Sequence, residues 1–465
     1  MGRFHPPGRL TVPQILAATG GELIRGSLAG SWTVCTDTRE MSDDALFVAL
    51  RGEIHDGHDW IGDLGRDSRA GLLVEELPEV ADALPAELIV RVPDTLVGLG
   101  ALARGFLLQT EVTVAGVTGS VGKTTTRSML GSILAQLGPG LVTEGNFNNR
   151  IGLPLTLLAL RPEHRWAVLE MGMSEPGEIR ALASICRPRV RVITTVSAGH
   201  LEFFDSVDGI ADAKGEIFED ARPGDALVYE LGAWFADRLP RPPGAVAVTF
   251  GAEGASVWAD QVVDEGLAGT RANLYLYGEP VAIHVPLPGA HQLHNAMAAA
   301  AAALWMGADA SHIAAGLARA EVPGRRMRVE EVAGVTVIDD AYNANPASVL
   351  AALKTAASAR RSGRLVVAIG DMLELGPTAA ALHAAVGEQA ADVGVDVFVG
   401  TGPLSQEAVQ AARARGLEAI WAADSAAAGD VLARTLNKGD VLLVKGSRGM
   451  RMETALDSIR PPEGN

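Results

Sequence analysis

Val112 to Thr126 read VTVAGVTGSVGKTTT. The run Val112–Val117 is apolar and β-branched, the composition of a strand. It breaks into the glycine turn Gly119-Ser120-Val121-Gly122 and then Lys123-Thr124. Beyond it, Leu130, Ile133, Leu134 and Leu137 recur at the spacing of a helix stripe. Gly138-Pro139-Gly140 is the expected stop. Strand, glycine turn, Lys-Thr and helix together predict a phosphate cradle. Amides at a helix N-terminus face anionic oxygens, and glycine lets the backbone approach them. Gly119 through Thr125 are therefore the expected nucleotide contacts. Lys123 would reach the β- and γ-phosphates, and the Thr124 hydroxyl is placed for Mg²⁺. The general pattern asks for glycine where Val117 stands. An ordinary strand–turn–helix connection is the bland alternative, and the flanking strand and helix weigh against it.

Downstream, Ala167-Val168-Leu169 reads as a buried strand ending in Glu170, where a Mg²⁺ partner is expected after such a cradle. Val190–Val196 is a second strand, and His200 lies just past its C-terminal end. In open α/β sheets that is the side on which ligands collect. Lys214, in a helix expected over residues 207–220, reads by itself as a solvated lysine. Asn146, Asn148 and Asn149 sit in the loop TEGNFNNRIGLP, as turn residues or as polar substrate contacts. Short alternating runs over residues 254–288 suggest a few antiparallel strands packed on the main sheet. An alanine-rich helix follows Asn295.

Upstream, a short helix is expected over residues 11–18, with strands over residues 33–37 and 46–50. Asp, Arg and His side chains gather at the two strand ends, a place for a polar ligand or a plain solvated loop. Pro93-Asp94-Thr95 reads as a linker. Past Gly324-Arg325-Arg326, strands and helices alternate, which predicts a doubly wound, mostly parallel sheet. No dinucleotide fingerprint opens it, so no nicotinamide cofactor is expected.

With 465 residues the chain exceeds one core, and roughly three domains are expected. We place them at residues 1–92, 93–322 and 323–465. A net charge of −17 argues against nucleic acid as a partner. Two cysteines exclude a disulfide scaffold or a four-cysteine zinc site and suit a reducing compartment. No signal-peptide pattern and no bilayer-length apolar run stand out, so a cytoplasmic protein is expected.

On these residues the chain resembles the Mur ligase family over nearly its whole length. The resemblance implies three α/β domains: a small N-terminal UDP-substrate domain, a central P-loop-type sheet, mostly parallel with added antiparallel strands, and a C-terminal Rossmann-like domain. TGSVGKTTT would hold ATP. Glu170, His200 and Lys214 would hold two Mg²⁺ ions, with Thr124 on the ATP side and Lys214 carbamylated. Asn295 would lie near adenine, Arg326 near the phosphates and Asp340 near the ribose. Asp37-Thr38-Arg39 and FVALRG, with Phe47, Ala49, Arg51 and Gly52, look like the UDP-sugar site, joined by the three asparagines.

The segments GNFNNRIGLP, DDAYNANP, GDMLELG and VKGSRG are similar to the branch that adds D-alanyl-D-alanine to a UDP-N-acetylmuramoyl-tripeptide. That would give Asn343, Asn345, Ser447 and Arg448 to the acceptor peptide. A monomer acting on small-molecule substrates, with closure of its domains on ligand, is implied. Thr38 and Val121 depart from the usual residues of the family. A peptide ligase with a different acid–amine pair, or a non-catalytic nucleotide-binding scaffold, are the alternatives the residues leave open.

Overall fold

The computed structural model describes residues 7–52, 54–63, 70–76, 86–198, 202–204 and 206–460. His200 lies outside the described residues. The chain builds three sheets in succession. The first orders its strands Arg9–Thr11, Ser31–Cys35, Ala45–Val48, Ala70–Val74, Ala86–Arg91 and Glu22–Arg25. Its four middle strands run parallel and the two edges are antiparallel. Pro93-Asp94-Thr95 is no slack linker. Asp94 caps the helix Thr95–Leu107 by accepting from Val97 N, and the buried Thr95 hydroxyl donates to Ala49 O at 2.8 Å.

The second sheet has nine strands and centres on Thr113–Thr118. Val190–Ile193 flanks that strand on one side and Trp166–Glu170 on the other, both parallel to it. The chain order reverses there, and such a switch point opens a crevice at the strand ends. Thr118 pairs with Ile193 and Val117 with Glu170, so the glycine turn leaves the sheet directly beside the Glu170 carboxylate. The strands Val257–Asp264, Thr270–Leu276 and Glu279–Val285 join edge-on, by backbone hydrogen bonds, and extend the same sheet. Of these, Thr270–Leu276 alternates buried and more exposed residues, as a strand with one face on the core does.

The third sheet orders Arg328–Val332, Val335–Asp340, Val441–Lys445, Leu365–Gly370, Val397–Thr401 and Glu418–Ala422. All but the first are parallel.

Several elements depart from expectation. The helix after the cradle ends at Leu134, and Gly140 opens a strand, Gly140–Val142. The helix expected over residues 207–220 stops at Gly215 and tightens into a 3₁₀ turn, Glu216–Phe218. The strands Ala226–Glu230 and Val246–Gly251 also went unread.

Two apolar layers sandwich the central sheet. One is the alanine-rich helix His291–Trp305, in which Ala298 to Ala303 are fully buried against the cradle helix and the strands. Small side chains let the two helices approach closely. The other layer is continuous with the core of the first sheet: Leu10, Trp32, Leu73 and Leu99 belong to the same cluster as Leu153, Leu182 and Phe218. The third sheet keeps separate clusters on its two faces. Among the described residues no helix is long and apolar enough to cross a membrane.

Candidate active site

A cleft of about 510 Å³ lies between the ends of the central and third sheets. The glycine turn forms one wall. Gly119 has φ +149° and Gly122 φ +88°, a region that favours glycine. A Cβ at Gly119 would overlap the Thr194 hydroxyl, and one at Gly122 the Asn295 side-chain oxygen. Ser120 N donates to Thr195 O at 2.8 Å and Val121 N to Thr195 Oγ1 at 3.2 Å. These two expected phosphate-binding amides are thus committed within the protein. Thr126 N closes the first helical bond on Gly122 O, so the amides from Gly122 to Thr125 stand at the head of the helix.

Lys123 curls back on the turn, its ammonium donating to Gly119 O at 2.7 Å. Burial pushes its pKa down, Glu170 opposes this and Arg326 adds to it. Thr124 Oγ1 donates to Glu170 Oε2 at 2.8 Å, and Asn148 Nδ2 donates to Glu170 Oε1 at 2.9 Å. Arg127, one turn further along the helix, is buried with its guanidinium 3.1 Å from Glu170 Oε2.

Lys214 overturns the solvated reading: it is only 2% exposed and lines the cleft. Among the described residues it has no hydrogen-bond or ion-pair partner. Burial, with the Lys123 charge adding to it, holds its pKa far below the ordinary value. It stands in the last turn of the short helix Val207–Gly215, on a wall of the cleft that Lys123 and Arg326 also line.

The third sheet supplies the opposite wall. Neighbouring strands pair Asp340 with Lys445 in register, and Lys445 Nζ donates to Asp340 Oδ2 at 2.6 Å and to Asn343 O at 2.7 Å. Both side chains are nearly buried. Arg326 stacks its guanidinium 3.6 Å from the Tyr342 ring centroid. Asn295 accepts from Thr126 Oγ1 and donates to Gln292. Removing one partner of a buried pair strands the other charge. Lys445→Met is therefore expected to cost about 3–5 kcal/mol of stability, read as a lower urea midpoint with unchanged slope. Adding Asp340→Asn should recover part of that loss.

The remaining expected residues divide. Asn146, Asn343 and Arg448 line the cleft, and Arg448 also pairs with Glu453 at 2.7 Å. Asn345 and Asn149 line it too, but their side-chain oxygens cap helix starts, at Ser348 N and Gly152 N. Ser447 is buried and accepts from Leu373 N.

Among the described residues, none of the first sheet lines this cleft. Phe47 and Ala49 have their side chains in the core of the first sheet. Arg51 faces Asp56, Glu75 and Glu76, which occupy its guanidinium. Asp37 binds Arg39 and caps the 3₁₀ turn Thr38–Glu40. Gly52 N donates to His55 O. Sequence reasoning missed Arg127, Lys445, Tyr342 and His291. Burial lowers the His291 pKa, and it lines the cleft.

Thr124 and Glu170 present two hard oxygens a hydrogen bond apart at the head of the phosphate-binding helix, which fits Mg²⁺. A bare ammonium at Lys214 does not fit a cation, whereas a neutral, buried amine can take up CO₂ and become a carboxylate.

Residues 117–303 match the Mur ligase middle domain and residues 324–448 the Mur ligase, glutamate ligase domain. The chain is 36% identical to the UDP-N-acetylmuramoyl-tripeptide–D-alanyl-D-alanine ligase of Escherichia coli (strain K12), over 97% of this chain and 98% of that one. It is 33% identical to the ligase of the same name from Bacillus subtilis (strain 168), over 95% and 97%. Among solved structures, MurF from Acinetobacter baumannii superposes with a TM-score of 0.90 at 30% identity, over 98% and 99% of the two chains. MurF ligase from Thermotoga maritima in complex with ADP gives 0.80 at 28%, over 92% and 96%. By sequence over its whole span and by fold, the chain belongs to the Mur ligase family.

Proposed function

We infer that this protein is an ATP-dependent ligase that joins D-alanyl-D-alanine to UDP-N-acetylmuramoyl-tripeptide in peptidoglycan precursor synthesis. One observation carries the reading: a single cleft brings the cradle residues Lys123, Thr124 and Glu170 to face Asp340, Arg326 and Arg448 of the third sheet.

A carboxylate is a poor electrophile. Transfer of the γ-phosphoryl of ATP to the tripeptide carboxylate yields an acyl phosphate and ADP. Attack by the dipeptide amine then forms the amide and releases phosphate. The protein's work is positioning and charge neutralisation. The amides from Gly122 to Thr125 cradle the phosphates, and Lys123 swings from Gly119 O onto them. Arg326 adds charge, Asn295 holds the adenine and Asp340 the ribose. Thr124 and Glu170 would hold one Mg²⁺, and His200 with carbamylated Lys214 the second. Bound there, the metal would screen the repulsion between two approaching anions. Asn343, Asn345, Ser447 and Arg448 form the acceptor side, Arg448 being the cation for a dipeptide carboxylate. Residues 1–92 take the UDP-sugar, residues 93–322 ATP and residues 323–465 close over it. We place the enzyme in the cytoplasm as a monomer, serving cell-wall growth and hence cell shape and division.

The test is ligation with ATP, D-alanyl-D-alanine and each of two UDP-tripeptides, ending in lysine or diaminopimelate, with product detected by mass. Product with either one supports the reading. Phosphate release only with another acid–amine pair, or with none, overturns it.

A further inference from the structure

Three side chains converge on the Glu170 carboxylate. Thr124 and Arg127 both approach Oε2, and Asn148 donates to Oε1. Arg127 is the unusual member. Its side chain is 1% exposed, its NH1 also reaches Gly145 O at 3.4 Å, and its buried Nε has no partner. Among the described residues Glu170 is its sole ion-pair partner. A buried guanidinium left partly unsatisfied is costly, so packing alone gives no reason to place one here.

We propose that Arg127 is a resident cation that makes the metal site conditional on nucleotide. With the cleft empty, the guanidinium neutralises Glu170 and repels a free divalent ion approaching the same oxygens. The polyphosphate brings enough negative charge to outweigh that repulsion, so metal enters with the nucleotide and not before it. Arg127 thus acts through Glu170 as a positioning residue. By linkage, the factor by which nucleotide improves metal binding is the factor by which metal improves nucleotide binding. The inference rests on the assignment of Glu170 as the ATP-side metal ligand.

The experiment titrates the full-length protein with Mn²⁺, with and without ADP, and follows free Mn²⁺ by electron paramagnetic resonance. The parent should bind Mn²⁺ at this site weakly without ADP and far more tightly with it. Arg127→Met should bind Mn²⁺ without ADP on the order of tenfold more tightly than the parent. Arg127→Gln, which keeps an amide donor for Gly145 O, is read the same way if the methionine variant fails to fold. Arg127→Lys retains the charge and should behave as the parent. A folded methionine or glutamine variant whose ADP-free affinity stays within about twofold of the parent overturns the proposal. So does tighter ADP-free binding in Arg127→Lys. Glu170→Gln separates the two claims: loss of ADP-dependent uptake supports the metal assignment, and undiminished uptake refutes that assignment itself.

Discussion

Lys214→Ala is expected to lower ligation by on the order of 10²–10³-fold, and small carboxylic acids such as formate or acetate should restore part of it. The expectation follows from where the amine sits. It is buried, without a partner among the described residues, and beside a second lysine that disfavours its charged form. Burial favours the uncharged amine, and that is the form that adds CO₂. The resulting carbamate offers oxygen on a long stem, which an added carboxylic acid can imitate once the stem is gone. Stability should change little, because the deleted group makes no hydrogen bond or ion pair among the described residues. Steady-state rates with and without formate, beside a thermal melt, check both halves. Activity that no concentration of acid restores would remove the carbamate from the account.

Gly122→Ala should be nearly as damaging by a different route. The residue heads the phosphate-binding helix at φ +88°, and its α-carbon faces the Asn295 side-chain oxygen without room for a methyl. Alanine there would be held in a left-handed conformation and would push away the group assigned to adenine. A stability loss of about 1–3 kcal/mol is expected for the strained conformation. ADP affinity should fall by on the order of 100-fold as turn and asparagine separate. Calorimetric titration with ADP reads the second effect. Parent-like affinity would mean that this turn does not carry the nucleotide.

The cradle was legible because everything it needs lies within about two dozen residues: a β-branched run, glycines where φ must be positive, and a helical stripe. Glu170 was legible from its place at a strand end. Lys214 was not. Nothing in its own helix marks it as buried, since the cleft wall it joins is built from segments distant in sequence, Lys123 and Arg326 among them. Lys445 was missed for a related reason. Its meaning depends on pairing with Asp340, 105 residues away, and strand register across that distance has no local signature. Arg127 drew no reading from the sequence, because its partner Glu170 reaches it from a neighbouring strand. In the first sheet, Phe47 and Ala49, which the resemblance gave to the UDP-sugar, stand with their side chains in the core. Expected acidic and basic groups there proved to be paired with one another.

The apolar cluster shared by the first and central sheets has a mechanical consequence. Sliding those two bodies apart would wet Leu10, Leu73 and Leu99 together with Leu153 and Phe218, so they behave as one stiff block. The last body carries its own interior and meets the block through lighter contacts, such as Leu267 and the backbone link from Glu202 to Glu374. Flexing is therefore cheapest at the chain near Gly324, and heating should soften the molecule in two stages rather than one.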